Sequence, residues 1–301
     1  MKSPLSDPIY VGTAGWSYPD WEGVVYPKGN PGERLRTVAQ YLGCVEVDAS
    51  FYRPLEPRVT ESWLKKLADR PDFRLLAKAW QRFTHDRRTP WTRDDLQFGT
   101  RGLEPLRAAG RLDALLFQFP WSFRNDTANR DWLARLADDF VGWPVAAEVR
   151  HDSWCGEETM DFFRERRITF CGIDQPALEH CIGMETRATT DTGYIRLHGR
   201  NAANWFRREQ EVYGGRYDYL YSDMELGELL VKIKKVASQT KKTVVVFNNH
   251  RDAKAFANAL EMQGRLTEDA AAMKAPASLL ARYPALRGRV TADGDEQLPL
   301  V

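Results

Sequence analysis

Eight short apolar runs, each followed by a helical pattern, constrain this chain more than any other feature. The runs are Ile9–Gly15, Val45–Phe51, Phe73–Ala79, Ala114–Phe119, Val145–Arg150, Thr169–Asp174, Gly193–Asn201 and Thr243–Asn249. Short apolar segments bounded by turn formers read as strands. Between them the spacing predicts helices at Arg34–Leu42, with Gly43 as its C-terminal cap, at 57–70, at 95–109, near 130–140, at 157–167, at Met224–Ser238 and at Asp252–Leu260. Strict strand–helix alternation implies a parallel sheet. Eight such units over about 250 residues match a single-domain TIM-type (β/α)8 barrel. The competing open, doubly wound sheet lacks its Gly-rich phosphate turn after the first strand. The expected layout is a lead over 1–8, the barrel over 9–263, and a partly helical tail over 264–301 that is disordered at its end.

The bulk chemistry excludes several classes of function. A formal net charge of +1 gives no global pull toward nucleic acid or a membrane. No apolar run approaches the roughly 20 residues of a membrane span. The lead Met1–Pro8 lacks the apolar core of a signal peptide. Cys44, Cys155, Cys171 and Cys181 show no C-x-x-C pairing, so they read as reduced thiols in a cytoplasmic protein rather than a metal cluster.

Functional residues of a barrel gather at the C-terminal ends of its strands. Here those ends are polar. They carry Trp16, then Asp48, Ser50 and Tyr52, then Lys78 and His85, then Gln118. Glu148, Arg150, His151 and Trp154 follow, then Asp174 and Gln175, then Arg196, His198 and Arg200, and last Asn248, Asn249 and His250. Alternation puts Arg196, His198 and Arg200 on one face of the seventh strand, Glu148 and Arg150 on one face of the fifth, and Glu46, Asp48 and Ser50 on one face of the second. Glu46, deepest in its strand, is expected to pair structurally. Glu148, Arg150, Arg196 and His198 are expected to face a ligand. Asn248 and Asn249 are either ligand contacts or helix caps. His85 and His250 read as solvated loop residues. Trp16, Trp21, Trp154 and Trp205 are either loop packing or a stacking wall.

Several stretches resemble one known family, the domain of unknown function 72, or YecE-like, proteins. They are Gly12-Thr-Ala-Gly-Trp16-Ser-Tyr18-x-x-Trp21-x-Gly23, Val45-Glu46-Val47-x-x-Ser50-Phe51-Tyr52, Leu116-Phe117-Gln118-Phe119-Pro120, Glu148-Val149-Arg150-His151-x-x-Trp154, Arg196-Leu197-His198-Gly199-Arg200 and Phe247-Asn248-Asn249. The resemblance runs from about residue 9 to about 262, with Asp48 and Ala49 where the family pattern has Asn-Ser. It implies a TIM-type barrel and brings no established reaction.

Three functions compete. The first is an enzyme acting on a small substrate that carries phosphate or carboxylate: a sugar phosphate, a nucleotide or a nucleic-acid backbone. Lys78, Arg150, Arg196 and Arg200 would clamp the anion. Tyr52, Trp16, Gln118, Asn248 and Asn249 would complete the binding site, and Glu148, Asp174 and His198 would carry acid–base chemistry. This reading needs no cofactor. The second is a metal-dependent hydrolase or isomerase, with a divalent metal on Glu148, Asp174 and His198, resembling xylose-isomerase-like or endonuclease-IV-like barrels. The Asn at the end of the eighth strand and the flanking arginines count against it. The third is a non-catalytic binder of nucleic acid or a phosphorylated metabolite. There the insertion Asn204-Trp205-Phe206-Arg207-Arg208 supplies aromatic and basic contacts, or else serves only as a lid over the mouth.

Overall fold

The computed structural model describes residues 8–207, 215–267 and 273–293. Residues 1–7, Arg208 and the chain end at 294–301, each of which carries an expectation above, lie outside them. Eight parallel strands close on themselves: β1 (Ile9–Ala14), β2 (Cys44–Val47), β3 (Arg74–Lys78), β4 (Leu112–Gln118), β5 (Val145–Glu148), β6 (Thr169–Asp174), β7 (Thr192–Leu197) and β8 (Lys242–Phe247), with β8 pairing back onto β1. A closed barrel leaves no strand edge unpaired. Helices α1 (Arg34–Tyr41), α2 (Ala49–Tyr52), α3 (Pro57–Lys66), α4 (Arg93–Thr100), α5 (Glu104–Ala108), α6 (Thr127–Asp139), α7 (Glu157–Glu165), α8 (Asp223–Ala237) and α9 (Lys254–Leu266) connect the strands. Two of them begin with capping boxes, Thr92 with Asp95 at α4 and Ser222 with Glu225 at α8, in which each side chain satisfies the other's free amide. The strands are buried nearly throughout, which is why their sequences are runs of Val, Leu, Ile and Ala rather than alternating patterns.

Three expectations change in detail. The second strand stops at Val47, and Ala49–Tyr52 form the short helix α2, where Ser50 Oγ donates to the Lys78 carbonyl at 2.7 Å. Gly43 does not cap α1 in a left-handed conformation. Its amide donates to the Val11 carbonyl at 2.9 Å and its carbonyl accepts from Arg74 at 3.0 Å, so it leads into β2. The helix expected at 95–109 divides into α4 and α5 ahead of Pro105, which has no amide to bond the Arg101 carbonyl and sits in the first turn of α5; between them Gly102 packs against the Leu55 carbonyl with no room for a Cβ. Beyond α9 the chain does not trail away. Helix α10 (Ala277–Arg282) and a two-stranded sheet of β9 (Lys274–Ala275) and β10 (Thr291–Ala292) bury Leu279, Leu280, Leu286 and Val290 in the same core as Phe256 and Leu260 of α9.

Closure of the barrel is tight at β1–β2. A Cβ on Gly12 would stand 1.8 Å from the Cys44 carbonyl oxygen, a backbone atom that cannot turn aside. Overpacking of this kind costs about 1–3 kcal/mol where side chains can yield, and more where they cannot. Gly12→Ala is therefore expected to lower the unfolding free energy by at least about 2 kcal/mol, read from the midpoint of urea denaturation at unchanged m-value.

Candidate functional site

The inner layer of the barrel is ionic, and β7 builds it. Arg196 is fully buried; its Nη2 donates to Glu46 Oε1 on β2 at 2.7 Å and its Nη1 to Glu148 Oε2 on β5. The sheet neighbours of β7 are β6 and β8, so these contacts cross the barrel interior. Tyr194 OH, two residues earlier on the same face, also donates to Glu46. Glu148 Oε1 accepts from Gln118 at 2.9 Å and from Arg150 Nε at 2.7 Å. His198 is buried beside it. Its Nε2 lies 3.3 Å from Glu148 Oε1 without the alignment of a hydrogen bond, and its Nδ1 lies 3.0 Å from Asn248 Nδ2.

This layer fixes the protonation of its members. Burial alone would lift the Glu148 carboxyl, but Arg196, Arg150 and His198 hold it well below the usual carboxylate range. Burial raises the Glu46 carboxyl against the pull of Arg196. The His198 imidazole is pushed down to about 3 by burial, despite Glu148. Glu148, Arg196 and His198 were expected to face a ligand. The structure places all three beneath the floor of the mouth, because Arg196 needs both carboxylates to offset its own desolvation.

Above this layer lies a cleft of about 500 Å³. Lys78, Gln118 and Arg150 form its base, and His85, Arg216, Phe51, Tyr52, Trp121, Trp205, Phe206 and Tyr217 its walls, with Phe119 and Pro120 where β4 ends. Lys78 Nζ is 2.7 Å from Asp48 Oδ1 and 5.7 Å from the Phe51 ring centroid. Trp205 is the wall against which Arg150 and Arg216 both rest, each guanidinium 5.9 Å from its ring. Tyr52 at 69% exposure and Phe206 at 64% leave large rings open at the rim, where unliganded apolar surface is costly.

The other expected site residues do not meet the cleft. Asp174 accepts from Arg200 Nη2 at 2.9 Å and from Tyr221 OH at 2.7 Å, which ties the β6 and β7 exits together. Arg200 also approaches Glu225 at 3.3 Å. Trp16 packs edge-on against Trp63, and Trp21 and Trp154 are fully buried. Asn249 donates to the Tyr219 carbonyl at 2.8 Å and to Asn258 at 3.0 Å, a loop-fixing role. His250 is half-buried and stacks on Tyr18 at 4.6 Å. After it, Asp252 and Ala253 adopt left-handed backbone, and Asp20 Oδ2 accepts the Asp252 amide at 2.6 Å just before α9. Glu148, Asp174 and His198 do not converge as metal ligands: Asp174 faces Arg200 and Tyr221, Glu148 faces Arg196 and Arg150, and His198 lies between Glu148 and Asn248. Among the described residues the one group within ligand reach is His151, Asp152 and His180. There, His151 Nδ1 already accepts the Ser153 amide at 3.1 Å.

The model of a family described as "Protein of unknown function DUF72" matches residues 10–281. The chain belongs to that family. It is similar to UPF0759 protein YunF of Bacillus subtilis (strain 168), with 29% identity over 269 residues covering 84% of this chain and 93% of that one. A crystal structure of a DUF72 family protein from Thermotoga maritima MSB8 superposes with a TM-score of 0.76 at 35% identity, covering 86% of this chain and 99% of that one. A second, from Enterococcus faecalis V583, shares the fold at a TM-score of 0.75 and 24% identity, covering 87% and 97%. The DUF72 match passes beyond the boundary expected near residue 263 and takes in α10, as the packing of that helix on the barrel requires. No described helix is long and apolar enough to cross a membrane.

Within this DUF72 chain, sequence reasoning missed Trp121, Phe51, Arg216 and Tyr217 as cleft residues. Trp121 had a usable signal: it directly follows Pro120, which stops β4 at the functional end of the barrel. The buried His198 makes the fold sensitive to acid. Its folded pKa lies below the unfolded value of about 6.5, so the unfolded chain binds the extra proton. The stabilisation is complete above that value and is lost as pH falls through the window down to about 3. Unfolding free energies at pH 6.5 and 4.5 are expected to fall less steeply in His198→Gln than in the wild type, by up to about 1.4 kcal/mol per pH unit. Equal slopes would show that His198 titrates in the folded protein.

Proposed function

We propose that this chain is an enzyme acting on a phosphate- or carboxylate-bearing substrate held in the cleft at the C-terminal mouth of the barrel. One observation carries the reading: Lys78, Arg150 and Arg216 line the cleft, and among the described residues no carboxylate does. Asp48 and Glu148 meet the first two cations from outside the lining. Those pairs keep Lys78 and Arg150 charged; burial alone would lower both, and the carboxylates raise them instead. They do not saturate them. An ammonium has three N–H donors and a guanidinium five, while Glu148 meets Arg150 through a single oxygen, Oε1. The remaining donors can take an oxyanion at the base of the cleft.

The walls favour a substrate with a flat ring. Phe51 and Tyr52 on one side, and Trp121 with Phe206 edge-on at 6.2 Å on the other, offer stacking faces above the cations. A nucleotide, a sugar phosphate or a segment of nucleic acid presents a ring beside a phosphate and fits this order. No metal is needed to bind the anion.

Inorganic phosphate is expected to bind the wild type at low ionic strength, and Lys78→Met to weaken it at least tenfold, about 1.4 kcal/mol, by isothermal titration calorimetry. A nucleoside monophosphate is expected to bind tighter than phosphate by about 1–3 kcal/mol, the worth of one stacked base, with that increment lost in Trp121→Ala. Failure of phosphate to bind at low salt would sink the anion reading. Phosphate binding without turnover of any phosphate ester would leave a binding protein.

A further inference from the structure

The acid–base residues expected from the sequence do not reach the cleft: Glu148 and His198 are locked below it and Asp174 is held by Arg200 and Tyr221. Lys78, Arg150 and Arg216 line it as cations, and Tyr52 and Tyr217 as phenols. That leaves His85, among the described residues the one cleft-lining side chain of a type that exchanges protons near neutral pH.

Its geometry is preset. The backbone amide of His85 donates to the Gln81 carbonyl at 2.8 Å. Thr84 is fully buried, and its Oγ1 lies 2.9 Å from His85 Nδ1. The ring meets Phe51 edge-on at 5.0 Å. With Nδ1 held by a buried hydroxyl, Nε2 is the nitrogen left for the cleft. A base oriented by a third group is the arrangement that proton-transfer sites share.

We propose, building on the anion reading above, that His85 is the proton-exchanging residue of the cleft: it takes up a proton from solvent when an oxyanion binds and keeps it on the ring, with Nε2 as a hydrogen-bond donor to the bound anion. The groups around it set the sign. Partial desolvation and the cations Arg150, Arg87 and Lys78 push the imidazole down to about 4, while Glu148 opposes them from below the floor. Asp86 and Arg88 share an adjoining cavity with it on its own loop, and Arg216 and Tyr217 face the cleft from the insertion. An anion among these cations cancels part of the field that holds the imidazole neutral, so the bound state has the higher pKa. Linkage then makes binding tighten as pH falls from the bound value toward the free one.

Sulfate is the suitable probe, because it does not titrate between pH 4 and 8. Its affinity for the intact protein is measured by calorimetry at pH 7 and pH 5, in two buffers of different ionisation enthalpy, for the wild type, His85→Gln and Lys78→Met. Wild-type binding is expected to tighten on going to pH 5, about tenfold if sulfate raises the imidazole by about two pKa units, with proton uptake seen as a buffer-dependent heat. His85→Gln, a change at an exposed side chain, is expected to bind with the same affinity at both pH values and no buffer dependence. If His85→Gln keeps the wild-type pH dependence while Lys78→Met weakens binding, the role of His85 is overturned and the anion cleft stands. If sulfate fails to bind at either pH, or binds Lys78→Met as well as wild type, both readings fall.

Discussion

Arg196 is the constraint on which the rest of the barrel mouth depends. One guanidinium from β7 reaches strands on two other sides of the closed sheet, Glu46 on β2 and Glu148 on β5. A fully buried charge is tolerated only with close partners and satisfied donors. Removing the arginine would leave two carboxylates facing each other in the barrel, and removing either acid would strand the arginine. The triad therefore holds three strands in register from inside, where in most barrels apolar side chains fill the space. It also explains why the polar strand ends are split between two levels: the deepest groups neutralise one another, and only what lies above them is left to meet solvent.

That division shapes the upper level. Lys78 and Arg150 each turn one side toward a carboxylate, Asp48 and the buried Glu148, and the other toward the cleft, so the pairing orients them rather than extinguishing them. The aromatic walls come from segments that are not strands at all. Helix α2 lifts Phe51 and Tyr52 out of the barrel, Pro120 turns Trp121 over the end of β4, and the insertion after β7 brings Trp205, Phe206 and Tyr217 from the far side. The rigid part of the site is thus ionic and buried, and its specificity elements ride on loops.

Much of this architecture was legible in the sequence. Strand–helix alternation gave the barrel, because buried parallel strands are apolar along their whole length and helices are not. Of the residues named at the strand ends, Lys78, Gln118, Arg150 and Tyr52 line one cleft. What alternation could not give was depth. Arg196 and Arg150 look alike in sequence, each an arginine at the end of an apolar run. Only the closure of the sheet, which brings Glu46 and Glu148 to Arg196, decides which of them is entombed. The strand rule also overran at residues 48–51, where a helical turn with Ser50 bonded to the Lys78 carbonyl replaces extended chain. Trp121 and Tyr217 escaped because their place in the cleft is set by loops with no periodicity to read.

The exit of β8 has a bearing on selectivity. In many barrels an anion rests on backbone amides after the last strands, at the start of a following helix. Here Asp20 already occupies the Asp252 amide, and the two left-handed residues there are braced by Tyr283, whose hydroxyl donates to the Asp252 carbonyl at 2.6 Å. The protein has ligated that position with its own carboxylate. Under the proposed reading an anion would be left to side-chain cations, Lys78 over β3, Arg150 over β5 and Arg216 from the insertion after β7. Amide cradles read shape at short range, whereas lysine and arginine heads act as screened charges on flexible stems. If the proposed reading holds, a mouth organised this way would discriminate little among oxyanions of equal charge and would leave the choice of molecule to the rings above the cations.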